Sequence, residues 1–312
     1  MLGVNCKVPL VIELGTTRGC DRELVKTAAL LAKLADHKSL KIPFGFITTS
    51  RAFSESLELN RDKVEFWRLV MEEGKLDLYA QYLPKASAEI GEDLEEEVQT
   101  RAEERRSEAF FLIPLFSSPM AIWLTPVLWW THLGTVSTNR VIDALKGIFG
   151  AALLLCPLIQ RRGISCQEAG LTVVIEELVQ VESGGLSFSC SPGSRNCDSI
   201  LINSNWGSPE TVMRGDVTPD EIFLERNNLE IRDRKTSRKT MKVIWDYLER
   251  QARRIPLVGE EAVSISLSED RSLLVAKTTK EVESRLGEPV ELTWGIKGEE
   301  LWIFLVRPLS GV

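Results

Sequence analysis

Several charged residues could bind a phosphate group and a divalent cation. Arg307, in the segment LVRP, carries a guanidinium that suits a phosphate, or it could form an ion pair that closes the last strand. Glu291 and Glu176 lie in alternating runs, where a carboxylate could bind magnesium or simply face water. Both interpretations stay open for each of these residues.

The segment NSNWGSPETVMRGDVTPDEIF, residues 203–223, contains three turns in about twenty positions. It could hold a ligand or only connect strands. Glu210 could contact a ribose or magnesium, but a glutamate that follows Pro209 is also typical of the first turn of a helix. We favour the helical interpretation, with Pro209 at the first helical position.

Cysteine and histidine are too sparse for a zinc site. The six cysteines include no Cys-x-x-Cys pair, and the only histidines are His37 and His132. The N-terminus lacks the charged start, apolar core and cleavage site of a secretion signal. We therefore expect a cytoplasmic protein with reduced thiols.

The bulk composition is that of a soluble globular protein. The 312 residues are 44% hydrophobic and 27% charged, which suits two lobes, or one large domain with an embedded subdomain. The net charge of −7 argues against nucleic acid as the main partner, because such proteins place cations against the phosphates.

An uncharged stretch, residues 109–139, is long enough to cross a bilayer. Three prolines interrupt it, and a lipid-exposed helix could not satisfy the backbone groups that they free. We therefore predict a buried strand followed by an apolar loop, and no membrane contact. Within residues 120–132, Trp123, Trp129 and Trp130 either fill the core or form an exposed patch for a partner, and both interpretations stay open.

Helices dominate the predicted elements of the N-terminal half. Residues 20–37 form an amphipathic helix, followed by a short strand at residues 46–49 and a new helix at Ser50. The charged residues 61–108 predict two solvated helices that are split near Pro84.

One or two helices are predicted in TNRVIDALKGIFGAALLLCPLIQRRGI, and Thr138 or Asn139 could cap the first of them. Strands dominate the C-terminal half that follows. Four β-branched runs between residues 171 and 226 predict a mainly antiparallel sheet. A basic helix is predicted in KTSRKTMKVIWDYLERQARRI, and a loop, a strand and a helix in residues 256–285. The chain ends in a β-hairpin with a Lys-Gly turn.

Six short motifs, in order along nearly the whole chain, resemble the N-terminal nucleotide-binding region of phosphoenolpyruvate synthase and pyruvate, phosphate dikinase. They are KTAALLAKLADHKSLKIPFGFITTSRAF, IPLFSSP, VIDALKGIF, TVVIEELVQVESGGLSFSCSP, residues 203–223 and VELTWGIKGEELWIFLVRP. The best match is residues 203–223, where the family carries S-W-G followed by V-T-P-D. The residues that match are Trp206, Gly207, Glu210, Val212, Gly215, Val217, Thr218, Pro219 and Asp220.

The resemblance implies an α/β (α+β) fold of the ATP-grasp-like type, with two lobes around a nucleotide cleft, mixed and antiparallel sheets, and flanking helices. The N-terminal lobe would span residues 1–165, with an acidic helical insert at about 61–108, and the C-terminal lobe residues 166–312. In the family, ATP passes its terminal phosphate to a histidine of a separate domain. Because the chain has no room for that domain, we expect another protein subunit as partner. It would be a histidine-carrying subunit, a transferase subunit or an active paralogue. His132 lies outside any such motif, so we expect it to be structural or exposed.

The resemblance also implies ATP and Mg²⁺ as cofactors and assigns the site residues by position. Arg307 would be the catalytic cation and Glu291 the metal ligand. Contacts to the nucleotide would come from Lys26, Ser117, Ser118, Glu176, Glu210 and Arg307.

Several charged positions of the family carry other residues in this chain. The lysine of G-G-K falls at Thr27, and Lys26 is one position away, which on a helix turns a side chain by about 100°. The arginine before Ser-Ser falls at Phe116. The second acid of D-x-E, the glutamine of Q-A-R-P and the acid before S-W-G fall at Thr293, Leu305 and Asn203.

We therefore predict a catalytically degenerate ATP-grasp protein that acts as a partner or regulatory subunit. Each missing charge should weaken transition-state stabilisation by about 2–4 kcal/mol. Two alternatives stay open. The chain could be an ATP-binding phosphotransferase (kinase) subunit that passes phosphate to a histidine domain on another chain, or it could bind an apolar or nucleotide-like small molecule. Whether it is an enzyme is an open question at this point.

Overall fold

The computed structural model describes residues 9–14, 26–35, 40–116, 118, 121, 124–192 and 197–309. The chain divides into two compact units. The N-terminal unit comprises Met1–Ala29 and Gly45–Glu177, and the C-terminal unit comprises Leu30–Phe44 and Leu178–Val312. This division falls after residue 177, and the boundary between lobes at residues 165/166 stays a prediction.

The N-terminal unit contains a five-stranded antiparallel sheet with the strand order β1-β2-β5-β3-β4. Its strands are β1 (Val11–Glu13), β2 (Gly45–Thr48), β3 (Ala109–Phe116), β4 (Gly134–Ser137) and β5 (Leu171–Glu177). All residues of β3 are buried, which explains why this strand is a continuous apolar run rather than an alternating one.

Eight helices precede or surround this sheet in the described sequence up to residue 177. They are α1 (Lys26–Ala35), α2 (Ser50–Leu59), α3 (Arg61–Glu72), α4 (Leu76–Tyr82), α5 (Glu92–Glu104), α6 (Thr125–His132), α7 (Val141–Gln160) and α8 (Cys166–Ala169). The division between the two units falls within α1.

Helix α7 lies at the centre of the N-terminal core. From residue 147 to residue 159 it is apolar on all sides, and α2, α3, α5, α6 and α8 pack against the helix. With the preceding turn, the segment Thr138–Gln160 is long and apolar enough to cross a membrane, but 72% of its most apolar window is buried inside the protein. Core helices of soluble proteins have the same property.

The C-terminal unit contains a six-stranded antiparallel sheet with the order β13-β12-β6-β7-β8-β9, and a separate hairpin, β10-β11. The strands are β6 (Ser183–Phe188), β7 (Ser199–Trp206), β8 (Asp220–Glu225), β9 (Ile231–Lys235), β10 (Met241–Asp246), β11 (Gln251–Pro256), β12 (Val290–Lys297) and β13 (Glu300–Pro308). The helices are α9 (Glu210–Met213), α10 (Gly259–Val263) and α11 (Glu269–Leu286).

Helix α11 covers one face of the six-stranded sheet. Ser268 caps its N-terminus through a hydrogen bond from the Arg271 N–H, and Gly287 ends it in the left-handed conformation. Val275 and Ala276 pack with buried residues of the sheet, including Trp294. Residues on the other face of this sheet include Glu291, Thr293, Leu305 and Arg307, and we call that face the site face.

The mixture of helices and antiparallel sheets confirms the predicted fold class. The four strands predicted between residues 171 and 226 are β5, β6, β7 and β8, and the predicted final hairpin is β12-β13. Gly298, with φ of +60°, lies in its turn.

The basic helix predicted after residue 235 is wrong, because this stretch forms the hairpin β10-β11. Val243 and Trp245 are buried, and their neighbours on the strand are more exposed. This period of two is typical of a strand. It is hidden in the sequence by the many Lys, Arg and Glu residues around it, which also favour helices.

Smaller predictions were also wrong. Residues 61–104 contain three helices rather than two, although the chain does break at Pro84, in a 3₁₀ turn. The loop predicted after β3 contains α6, whose Leu128 and Trp129 are buried. Helix α7 has no side-chain cap from Thr138 or Asn139, since both lie in a 3₁₀ turn before it. The strand expected in residues 256–285 is absent from that range, which is helical in α10 and α11.

Two pairs of cysteines lie close together. Cys156 lies beside Cys166 and Cys190 beside Cys197, with Cα atoms 5.4 and 4.8 Å apart, which is close enough for a disulfide. The expectation of reduced thiols stays a prediction. The turn between α7 and α8 folds Cys166 back onto Cys156, a proximity that their spacing alone does not reveal. The remaining two cysteines lie outside the described residues.

Candidate functional site

Four positions of the expected site lie together on strands β12 and β13. The antiparallel register places Glu291 opposite Arg307 and Thr293 opposite Leu305. Paired residues of an antiparallel sheet point to the same face. All four side chains therefore belong to the site face, opposite α11.

Glu291 and Arg307 form a partly buried ion pair. Arg307 Nε donates to Glu291 Oε1 over 3.1 Å, and a second guanidinium nitrogen contacts the same oxygen. Glu291 is only 8% exposed, so it does not face water. The ion pair that the sequence allowed for Arg307 is therefore present, and it engages the residue expected to bind magnesium.

The neighbouring pair lacks charge altogether. Thr293 and Leu305 are both buried, and the Thr293 hydroxyl has no hydrogen-bond partner among the residues that the structure describes. One strand further, Leu186 lies between Thr293 on β12 and Asn203 on β7. From Leu305 to Asn203, this row across the site face offers two neutral polar groups and no charge.

The segment 203–223 packs tightly against neighbouring strands. Gly207 adopts φ of +72°, and an added Cβ would lie 2.4 Å from the Val243 oxygen. The Asn205 amide donates to Thr211 Oγ1 and to the Met241 oxygen, each over 2.9 Å. Much of this segment therefore packs within the C-terminal unit and contributes to its structure, in addition to any contact that it makes with a ligand.

Glu210 is the first residue of α9, as the helical interpretation predicts, while Pro209 precedes the helix instead of starting it. The Glu210 side chain is only 4% exposed. Its backbone N–H lies 3.3 Å from Ser208 Oγ, which accepts a hydrogen bond.

Asp220, at the end of the same segment, is part of a buried polar cluster that the sequence did not reveal. Lys239 Nζ donates to Asp220 Oδ1 over 2.7 Å, and both side chains are fully buried. The backbone N–H and the hydroxyl of Ser266 both donate to Asp220 Oδ2 over 2.7 Å. The Thr-Pro-Asp motif could have signalled Asp220, but Lys239 lies in the stretch wrongly predicted as a helix.

In the N-terminal unit, Glu176 is fully buried on β5, which excludes the alternative that it faces water. Its face of the sheet also carries Ile47, Ile113 and Val174. Burial raises the pKa of the Glu176 carboxyl well above its usual range, and neither oxygen has a hydrogen-bond partner within the described ranges. An uncompensated buried carboxyl of this kind is a common feature of ligand sites.

The other expected positions of the N-terminal unit contribute little chemistry. Phe116 is buried in the core, and the Ser118 N–H donates to the Ala169 oxygen over 3.0 Å. Lys26 begins α1, but its side chain lies outside the part that the structure describes, as does Ser117.

The tryptophan question is settled only for Trp129. Its indole is 3% exposed and donates to the Pro114 oxygen over 2.9 Å, so it belongs to the core. Trp123 and the side chain of Trp130 lie outside the described residues. His132 is half-buried, and its Nδ1 lies 2.7 Å from Thr131 Oγ1.

A family model described as "Pyruvate phosphate dikinase, AMP/ATP-binding domain" matches residues 131–311, which is more than half of the chain. The chain belongs to this family. Membership and the observed sheets and helices together confirm the ATP-grasp-like α/β class predicted from the sequence.

Curated relatives agree with this assignment. The phosphoenolpyruvate synthase of Aquifex aeolicus is 24% identical over 304 residues, which covers 86% of this chain and 35% of that protein. A probable phosphoenolpyruvate synthase of Archaeoglobus fulgidus is 23% identical over 294 residues, covering 88% and 38%. Another, from Pyrococcus abyssi, is 25% identical over 198 residues, covering 58% and 23%. The chain thus spans roughly a quarter to two fifths of these relatives.

Solved structures show a weaker similarity. A D-alanine-D-alanine ligase from Helicobacter pylori is similar with a TM-score of 0.30 at 15% identity, covering 76% of this chain and 53% of that one. D-alanyl-alanine synthetase A from Vibrio cholerae gives a TM-score of 0.25 at 11% identity, covering 68% and 46%. These values carry no argument about function.

Proposed function

We propose that this chain is a nucleotide-binding subunit that has lost phosphoryl transfer and acts as a partner or regulatory subunit. One observation carries this proposal. On the site face, the ion pair of Glu291 and Arg307 stands next to the uncharged pair of Thr293 and Leu305. Phosphoryl transfer depends on cations and metal ligands that balance the developing charge. Here Arg307 and Glu291 are paired with each other, and the pair of Thr293 and Leu305 supplies neither a cation nor a carboxylate.

Nucleotide binding is a separate requirement that can survive the loss of chemistry. The family model is described as an AMP/ATP-binding domain. In the described structure, Glu176 also supplies a buried carboxyl that has no hydrogen-bond partner in the protein. A protonated carboxyl can donate a hydrogen bond to a base or ribose. Calorimetric titration with ATP, ADP and AMP should therefore give measurable binding, reduced in the Glu176→Ala variant.

Turnover tests the loss of chemistry. A sensitive assay of phosphate release and of ATP–phosphate exchange with Mg²⁺ should give no rate above that of the buffer. Turnover that disappears in the Arg307→Ala variant would refute the proposal, because it would assign an active site to this pair. Turnover that survives this substitution would indicate a contaminating enzyme.

A second function follows from the retained pair. If Arg307 moves from Glu291 to a phosphate, the chain could act as an ATP-dependent phosphotransferase subunit that supplies a histidine domain on another chain. Incubation with labelled ATP, Mg²⁺ and such a domain would then transfer label to its histidine.

A partner role agrees with an exposed aromatic patch on the N-terminal unit. Phe66 and Tyr82 are 56% and 52% exposed, and both rings contact Trp67. Exposed aromatic groups of this kind are typical of protein–protein interfaces. We place the subunit in the cytoplasm, with a histidine-carrying or transferase subunit or an active paralogue as its partner, and without nucleic acid or membrane contact.

A further inference from the structure

The family implies Mg²⁺ beside the nucleotide, and the residues of the site face do not fit this ion. Magnesium in nucleotide sites is usually held by one or two carboxylates together with phosphates and water. Glu291 is the carboxylate at the expected position, and its Oε1 already accepts from the Arg307 guanidinium. The second position is Thr293, a hydroxyl with no charge.

In the row of Thr293, no acid lies close enough to replace the missing ligand. In the row of Thr293, the next carboxylate is Glu221, three strands away through Leu186 and Asn203. Strands lie about 4.8 Å apart, so about 14 Å separate the two positions. Among the described residues of the whole chain, no group of three His, Cys, Asp or Glu side chains could hold a metal ion.

We propose that this site takes its nucleotide without a divalent cation, with the charge of Glu291 balanced by Arg307 instead. The ligand class is then a metal-free nucleotide. A cation bound to the phosphates would gain no unpaired carboxylate from positions 291 and 293, so Mg²⁺ should not increase the affinity. This inference rests on the proposed nucleotide binding, but the metal can be tested separately.

Manganese provides the separate test, because its paramagnetic resonance signal reports bound and free ion without any nucleotide. The wild-type protein should show no saturable Mn²⁺ binding. The Thr293→Asp variant, which places a second carboxylate two residues from Glu291 at nearly unchanged side-chain size, should gain one saturable site. Thr240→Asp adds the same charge at an exposed position and should gain none.

Calorimetry with ADP in EDTA and in Mg²⁺ completes the experiment. The two dissociation constants of the wild type should agree within about threefold. Saturable Mn²⁺ binding to the wild type that is lost in Glu291→Gln, or an affinity at least about tenfold higher with Mg²⁺, would overturn the inference. A Thr293→Asp variant that folds but gains no Mn²⁺ site would also overturn it, since position 293 would not be the missing ligand. If ADP binds in neither buffer, the proposed nucleotide binding fails, and the Mn²⁺ results still decide the question of the cation.

Discussion

At the scale of single residues, Asp220 and Glu176 are both fully buried acids but differ in how they are compensated. Asp220 accepts from the Lys239 ammonium, from the Ser237 N–H and from Ser266. Glu176 has no hydrogen-bond partner within the described part of the chain. A compensated buried charge is typical of a structural role, whereas an uncompensated carboxyl costs stability.

The Asp220→Ala substitution should strongly destabilise the C-terminal unit. It would leave the Lys239 ammonium buried without its carboxylate, a change that typically costs about 3–5 kcal/mol of unfolding free energy. Urea unfolding monitored by tryptophan fluorescence measures this loss. The adjacent Glu221→Ala provides a control, because its ion pair with Lys235 is largely exposed and should contribute at most about 1 kcal/mol. Equal losses for the two variants would contradict the structural role of Asp220.

The Glu176→Gln substitution should stabilise the protein at neutral pH. Burial raises the pKa of Glu176, so the folded protein binds the proton more tightly than the unfolded chain does. The stability of the wild type is then fully present below the unfolded pKa, about 4.3, and falls as pH rises towards the folded pKa. The amide does not titrate and avoids this loss.

Unfolding in urea at a series of pH values from 4 to 8 checks this prediction. The stability difference between Glu176→Gln and the wild type should grow with pH. Glu96→Gln, at an exposed position on α5, should show no such growth. A difference that shrinks with pH would mean that Glu176 is charged and compensated in the folded protein.

At the scale of elements, the close pairing of β6 and β7 depends on a glycine. A Cβ added at Gly185 would lie 1.9 Å from the backbone oxygen of Asn203, which cannot move without breaking the ladder. Gly185→Ala should therefore cost about 3 kcal/mol of stability in thermal unfolding. Gly91→Ala, with no other atom within 4 Å of the new Cβ, should change the stability by at most about 0.5 kcal/mol. Similar costs for both variants would show that this pairing can relax.

Elements with a single clear period could be predicted from the sequence, and those with two competing signals could not. The strand run at β5 and the hairpin β12-β13 combine β-branched residues with turn residues. In β10, the buried Val243 and Trp245 alternate correctly, but the surrounding charged residues favour a helix. Tertiary packing determines that this stretch forms a strand rather than a helix. A short window of sequence does not contain the packing partners.

At the scale of the whole molecule, sequence motifs identified the family but not the contacts that join distant positions. Ser266 reaches Asp220 across 46 residues, and Arg307 reaches Glu291 across 16. Replaced residues such as Phe116 and Thr293 could be recognised only through the family pattern. Their consequences differ, because Phe116 joins a core, whereas Thr293 leaves a hydroxyl without a partner in the described structure.

The proposed partner role makes a prediction about the aromatic patch of Phe66 and Tyr82. Exposed rings that become buried at an interface often contribute at least about 2 kcal/mol each. Replacing both residues by serine should therefore remove about 4 kcal/mol and weaken a complex with a histidine-carrying or transferase subunit by about 700-fold or more. Both rings lie more than half exposed on α3 and α4, so these substitutions should leave the fold intact.

Light scattering after size-exclusion chromatography, with candidate partners encoded beside the gene, measures this effect. Phe44→Ser is the matched control, because Phe44 is 71% exposed but belongs to the other unit. The double variant should elute apart from the partner at concentrations where the wild type and the control still form the complex. A complex that tolerates the loss of both rings would place the interface elsewhere, since apolar burial at the patch would then contribute nothing to the affinity.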